Sequence, residues 1–477
     1  MNHHSPSLEP QPLSNTAKWL AMLGVSLGVL MFTLDTSIVN IALPTLVQVF
    51  HTSFATIQWV VLSYLLVITT LVLGAARLGD MFGKKMLYLG GLVLFTISSL
   101  LCGLAPGVGW LIGFRTLQGL GALMISALGA AIVTEIFPNS ERGRALGIIG
   151  ATVSLGIALG PTVGGLLIAI SGWRSIFLVN VPIGIFASFI VMRNIPNHRS
   201  VQTRQQFDWW GAIVMTCTLV AFAFGMTYGQ DHGFNHPGTL GLLGAAVLGL
   251  LLFIWIERHL QQPMLDLNLF ENLQFSLSLA AGVLVFIVIA GSIFILPFFL
   301  ELVLHYPTQH VGLLLAVSPV LGGIVAPVSG SLSDRFGSRI ISLIGLMLMV
   351  IGCLSISTFS AQLTDLGYIL RVAPFGVGLG MFQSPNNSAI LGAVSADRLG
   401  IAAGLLSLSR TLGQTSGVPL LASFFSFLAL AHSQATSVTN APAAALVIGV
   451  QGTFRLAALV LFVATLIIAL LWRMQKQ

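Results

Sequence analysis

Charge is what this sequence has least of. Asp, Glu, Lys and Arg together make up 7% of its 477 residues, where an average soluble domain carries roughly 25%. A chain so poor in charge cannot clothe a globular surface in solvated side chains, which excludes a soluble fold. Cysteine is nearly absent as well. Cys102, Cys217 and Cys353 each fall in an apolar run, so a disulfide framework is not expected and each reads as a small core residue. HExxH, a nucleophile elbow, paired metal-binding cysteines and a soluble catalytic domain are also missing, which speaks against an intramembrane enzyme or receptor. No cofactor and no metal are expected.

What remains is apolar: 56% of the residues are hydrophobic and the mean hydropathy is +0.96. Runs near or above the ~18 residues of a spanning helix recur from Trp19 to Trp472 with short polar connectors, and they number fourteen. The first begins after Lys18 and continues past residue 40 without a small-residue cleavage site, so a retained helix is expected and not a signal peptide. The sequence pI is near 9.6, yet the basic residues form no tail and no single amphipathic face. With the N-terminus placed in the cytoplasm, fifteen of the twenty Lys and Arg fall on the inner side, while the outer side receives Arg174 and, at a helix end, Arg455. This asymmetry puts both termini inside a multi-pass cell-membrane protein. The basic excess then reports topology and contact with anionic lipid, and no nucleic-acid partner is expected.

The expected architecture is all-α and falls into parts of six, two and six helices. Residues 1–17 read as a cytoplasmic tail and 18–194 as a first six-helix bundle. Residues 195–272 hold two polar linkers and two extra helices, and 273–477 a second six-helix bundle. An internal repeat supports the division. ARLGDMFGKK at 76–85 is echoed by GSLSDRFGSR at 330–339, an offset of 254 residues, and Arg115 is echoed by Arg371 at an offset of 256. Duplicated six-helix halves place a binding site between them, so a monomer is expected to suffice.

Three groups of residues carry chemistry. Asp35 lies inside the first apolar run, where a carboxylate costs at least ~2.5 kcal/mol and marks function by default. At 1.5 Å per residue Asp35 is about 25 Å along its helix from the inner face, and Arg115 about 13 Å along the fourth helix from the outer face. The two charges therefore share a depth. The alternative is a purely structural ion pair. The second group, Asp80, Gly83, Lys84 and Lys85 with the repeat partners Asp334 and Arg335, lies in short inner connectors. There it can latch helices in one conformation and release them in another, or merely anchor topology. The third is GIALGPTVGG, whose Gly156, Gly160, Pro161, Gly164 and Gly165 permit close helix contact and a bend. Glu135 reads as a helix-end residue, and His305 and His310 as loop residues.

Taken together, LDTSIVNIALP, LGDMFGKK, RTLQGLG, GPTVGG, GWRSIFLVNVPIG and RLGIAAGLLSLSRTLGQTSG resemble the major facilitator superfamily, and within it the fourteen-helix drug:proton antiporter branch. The resemblance covers nearly the whole chain. It implies an exporter that exchanges substrate for protons, with Asp35 as the coupling or substrate-binding acid, Arg115 in proton transfer, and Gly160 and Pro161 in the antiporter motif. Ala76 and Met81 depart from the usual loop motif, where Gly and Arg are common. Glu301 stands where relatives commonly have Gln, which offers a second acid for a proton or a cationic substrate, or an interfacial acid among headgroups. The expected substrates are lipophilic, cationic drugs or toxic compounds. The alternative is a dedicated exporter of one endogenous metabolite, siderophore or lipid.

Overall fold

The structure is a computed structural model that describes residues 15–196, 208–260, 267–394, 399–435 and 437–474. Nearly all of these are helical and none is in a strand. The first bundle is built from α1 (Asn15–Phe50), α2 (Phe54–Phe82), α3 (Lys84–Gly103), α4 (Val108–Ile136), α5 (Asn139–Ser171) and the pair α6 (Ser175–Leu178) and α7 (Asn180–Asn194), which make one crossing. Two helices follow, α8 (Trp209–His232) and α9 (Pro237–His259). The second bundle comprises α10 (Leu273–Leu302), α11 (Thr308–Leu315) with α12 (Val317–Phe336), α13 (Ser338–Ile356), α14 (Asp365–Gly392), α15 (Leu399–Ala431) and α16 (Ala443–Met474).

Two crossings are broken where proline dictates. Pro182 has no N–H to give the Leu178 carbonyl, and the chain turns between α6 and α7 at Val179. Pro319 does the same to Leu315, and α11 gives way to α12 at Ala316. Thirteen crossings are long and apolar enough to span a bilayer among the described residues. The fourteenth is α14, 28 residues long, in which Arg371, Gln383, Asn386 and Asn387 dilute the hydropathy.

The repeat seen in the sequence is a repeat of packing. In the first half α1 packs on α5 and α7, and α4 on α2 and α3; in the second, α10 packs on α15 and α16, and α14 on α12 and α13. The turns after α2 and α12 are superimposable in kind. Gly83 has φ 92° and Gly337 φ 89°, and their N–H groups cap the Gly79 and Ser333 carbonyls. Only glycine adopts such a φ without strain.

One end of the molecule holds the 51–53 turn, and the opposite end holds Gly83 and Gly337. The halves meet at the 51–53 end. There Phe54 of α2 packs edge-on against Phe294 and Phe298 of α10, with centroids 5.3 and 4.9 Å away, and lies 5.8 Å from Phe425 of α15. Deeper in, the buried hydroxyls of Thr69 and Thr415 are 2.9 Å apart. No hydrogen bond, ion pair or ring contact between described residues joins the halves beyond that pair toward the Gly83 end.

The extra helices play unequal parts. Gln230 of α8 bridges Gln58 of α2 at 2.8 Å and Ser423 of α15 at 2.9 Å, so α8 touches both halves. Helix α9 buries only Thr239, Ala246, Phe253 and Glu257, a single stripe against α8, and leaves Leu248, Leu251 and Trp255 exposed. Such a belt of exposed apolar side chains suits a helix bathed in lipid. Cys102 and Cys353 are buried as expected, but Cys217 is exposed on α8, because α8 buries only the faces it turns to α2, α9 and α15.

Candidate functional site

Asp35 is fully buried, and its partners come from two other helices. Arg115 of α4 donates through Nη1 to Asp35 Oδ2 at 2.5 Å. Gln118, one turn further along α4, donates to Asp35 Oδ1 at 2.9 Å, and Asn180, the first residue of α7, donates to the same oxygen at 3.1 Å. The helix break imposed by Pro182 therefore sets the amide that faces the acid.

The arginine is as fully satisfied as the acid. It also donates to Gln118 Oε1 at 2.6 Å and, through Nε, to the Val60 carbonyl at 3.0 Å. Its guanidinium carbon stands 4.2 Å from the centre of the Tyr64 ring, a cation–π contact. Gln118 is anchored in turn by Ser99 at 2.8 Å. The network is closed within the first half, with one exception: Asn180 Oδ1 is a buried acceptor with no partner.

The GxxxGPxxGG string joins that network to the seam between halves. A Cβ at Gly156 or Gly160 would run into Thr33 or Ser37 of α1, and one at Gly164 would stand 2.6 Å from Ile38 Cγ1. Residues four apart thus lay α5 directly on the turn of α1 that carries Asp35. Ser37 completes the contact by donating to the Gly156 carbonyl at 3.2 Å. On its other side α5 meets α11 of the second half: a Cβ at Gly165 would lie 2.7 Å from the Thr308 carbonyl oxygen, and the Pro161 carbonyl abuts Gly312.

The remaining sequence candidates lie apart from this cluster. Glu301 is near the end of α10 at the 51–53 side, with Oε1 buried and without a hydrogen-bond partner; its side chain interacts with Thr308 and shares no hydrogen bond or ion pair with Asp35 or Arg115. Lys84 pairs with Glu135 of α4, and Lys18 of α1 with Glu141 of α5 at 2.9 Å. Both pairs stay inside the first half at the Gly83 end, and Arg335 is exposed. The side chains of Asp80 and Asp334 lie outside the described residues. His305 is a loop residue with φ 54°, whereas His310 sits on α11 and pairs with Asp365 of α14 at 2.9 Å.

Sequence reading passed over Gln118 and Asn180 as site residues, although both are polar residues inside strongly apolar runs. It also passed over Arg410. This arginine is the twelfth residue of α15, partly exposed, with its guanidinium carbon 5.3 Å from the Phe286 ring centroid and its Nε buried without a partner.

The sequence profile of the Major Facilitator Superfamily matches residues 25–418 and 278–477. The multidrug resistance protein Stp of Mycobacterium tuberculosis is 34% identical over 86% of this chain and 76% of its own. The riboflavin transporter RibZ of Clostridioides difficile is 35% identical over 86% of this chain and 88% of its own. Among solved structures, a bacterial homologue of the human lysosomal transporter Spinster superposes with a TM-score of 0.69 at 15% identity, over 96% of this chain and 97% of that one.

Proposed function

Because this chain belongs to the Major Facilitator Superfamily, and is therefore a multi-pass membrane transporter of small molecules and no enzyme, we propose that it is a proton-coupled antiporter that exports lipophilic compounds across the cell membrane by alternating access. Both termini face the cytoplasm in this reading, by the bias of Lys and Arg toward the Gly83 end. The arrangement described, with the halves joined at the 51–53 end, is then the inward-facing one.

The observation that carries the proposal is the placement of Asp35. Its carboxylate is fully buried and accepts from Arg115, Gln118 and Asn180, which occupies three of its roughly four lone-pair positions. It keeps room for a proton but presents no open face to a substrate cation. Protonation removes the charge that Arg115 compensates. The Asn180 amide can turn over and present its unpartnered oxygen to the new carboxylic O–H. Either change shifts the one turn of α1 on which α5 rests, and α5 is what meets α11 across the seam. Proton state and gate thus act on the same two helices. Two packed arrangements of such a seam, biased by one protonation, suffice for exchange.

The test is dye efflux from reconstituted vesicles with and without a pH gradient. Wild type should accumulate dye only with the gradient and release protons when substrate is added. Asp35→Asn should bind dye yet lose both responses. Transport that ignores an ionophore, or wild-type proton release from the Asn variant, would overturn the coupling. The identity to RibZ keeps a second reading in view, a transporter dedicated to one metabolite. A deletion strain that gains sensitivity to no toxic compound, while its riboflavin distribution changes, would favour it.

A further inference from the structure

Among the described residues, Arg410 is a charge with nothing opposite it. It stands eleven residues beyond the first residue of α15, about 16 Å along the helix, at a depth where an arginine is costly unless it pairs or faces a water-filled path. No acid answers it. Asp35 is fully engaged by Arg115, and Glu301 lies fifteen residues along α10 from Phe286, about 22 Å away at helical rise. No hydrogen bond or ion pair among the described residues reaches the guanidinium, which keeps only the ring of Phe286.

The direction in which Arg410 points follows from its neighbours on α15. Gly413 and Gly417 abut α10 at Phe286 and Ile287, and Thr415 bonds to Thr69 of α2. Arg410, Ser407 and Gln414 occupy the arc between these two contacts, at helical spacing on one face. All three are partly exposed. That arc looks into the space between the halves, below the roof formed by Phe54, Phe294, Phe298 and Phe425.

We infer that Arg410 is the anchor for an acidic group on the transported molecule, so that the proposed exporter takes lipophilic compounds bearing a carboxylate or a comparable anion. This rests on the reading of the chain as a small-molecule transporter, but not on proton coupling. The chemistry matches: a guanidinium with a free N–H edge binds a carboxylate through paired, charge-assisted hydrogen bonds, and Ser407 and Gln414 add neutral partners on the same face. It also revises the expected substrate charge. With Asp35 paired to Arg115, the formal charge that the described residues leave in the space between the halves is that of Arg410, and it is positive.

The experiment is binding without transport, measured by fluorescence polarisation on the purified full-length protein in detergent at neutral pH. The probes are tetramethylrhodamine, a zwitterion with a free benzoate, and its ethyl ester, a cation of nearly the same shape. Wild type should bind the acid more tightly than the ester. Arg410→Gln should weaken the acid by roughly 10-fold or more, the worth of a charge-assisted pair, and leave the ester unchanged or improved. Arg410→Lys should retain part of the preference, which separates lost recognition from a damaged fold. Wild type binding the ester as tightly as the acid, or binding neither dye, overturns the inference, as does an Arg410→Gln protein with an unchanged preference. Coupling is judged separately: acid-selective binding with gradient-independent efflux would sink the antiport reading and leave the anchor intact.

Discussion

Arg115 and Arg410 lie deep in opposite halves of one duplicated architecture, and their surroundings are opposites. Arg115 is met by Asp35, Gln118, the Val60 carbonyl and the face of Tyr64. Among the described residues, Arg410 is met by the ring of Phe286 alone. Arg371, the repeat partner of Arg115, is a third case: the second half has Gly291 where the repeat would place an acid, and Arg371 turns instead to Thr358 and the Gly367 carbonyl near the end of α14. Duplication therefore copied the helix packing but not the charge pairing. In the proposed reading the cation that its own chain satisfies belongs to the internal switch, and the one left without an acid answers to a partner that arrives from outside.

The largest effect should come from breaking the closed pair. Arg115→Leu leaves Asp35 buried and uncompensated, at a cost of about 3–5 kcal/mol, and should be seen as a steep fall in thermal stability in detergent. The double variant Asp35→Leu with Arg115→Leu should recover most of that loss, because removing both charges removes the desolvation cost too, yet stay unable to use a gradient. Arg410→Leu sharpens the comparison. It deletes a charge that no described residue compensates, so its unfolding temperature should hold or rise. A fall as large as that of Arg115→Leu would show Arg410 to be a structural group.

Next in size is the contact between α1 and α5. Gly160→Leu forces a side chain into Ser37, and overpacking of this kind costs about 1–3 kcal/mol. Expression should survive while gradient-driven efflux is lost, because α5 can no longer rest on the turn that holds Asp35. Normal efflux from this variant would show that the close approach is dispensable.

These comparisons also show what the sequence could reveal. The fourteen crossings were legible because hydropathy and length report the bilayer directly, and even the repeat was visible at Gly83 and Gly337, where φ leaves no choice of residue. The pairing of Asp35 with Arg115 was legible from depth alone, since helix rise fixes how far along each crossing a residue lies. Asn180 was not, because its position depends on the break between α6 and α7, a consequence of packing around Pro182 rather than of local pattern. Arg410 was hidden for a different reason. Depth marks it as costly, but only the three-dimensional neighbourhood shows that no acid among the described residues answers it. The convergence of Gln118 and Asn180 on Asp35 was out of reach for the same reason, since the meeting of side chains from α1, α4 and α7 is a property of the fold.

The smallest effect tests the seam between the halves. Thr69 and Thr415 share one hydrogen bond across it, buried on both sides, and a bond of this kind is worth about 0.5–1.5 kcal/mol. In the proposed cycle it exists only while the halves are joined at the 51–53 end. Thr415→Val keeps the volume and removes the donor, so it should leave overall stability nearly untouched while moving the conformational equilibrium by roughly 2- to 10-fold toward the opposite-facing state. Spin labels placed at the 51–53 end should report a larger separated population. Thr69→Val should produce the same shift, and the double variant little more than either, because each single change already destroys the one bond. Additive shifts would mean that the hydroxyls act through separate partners, and that the seam is held by its aromatic ring contacts and not by this pair.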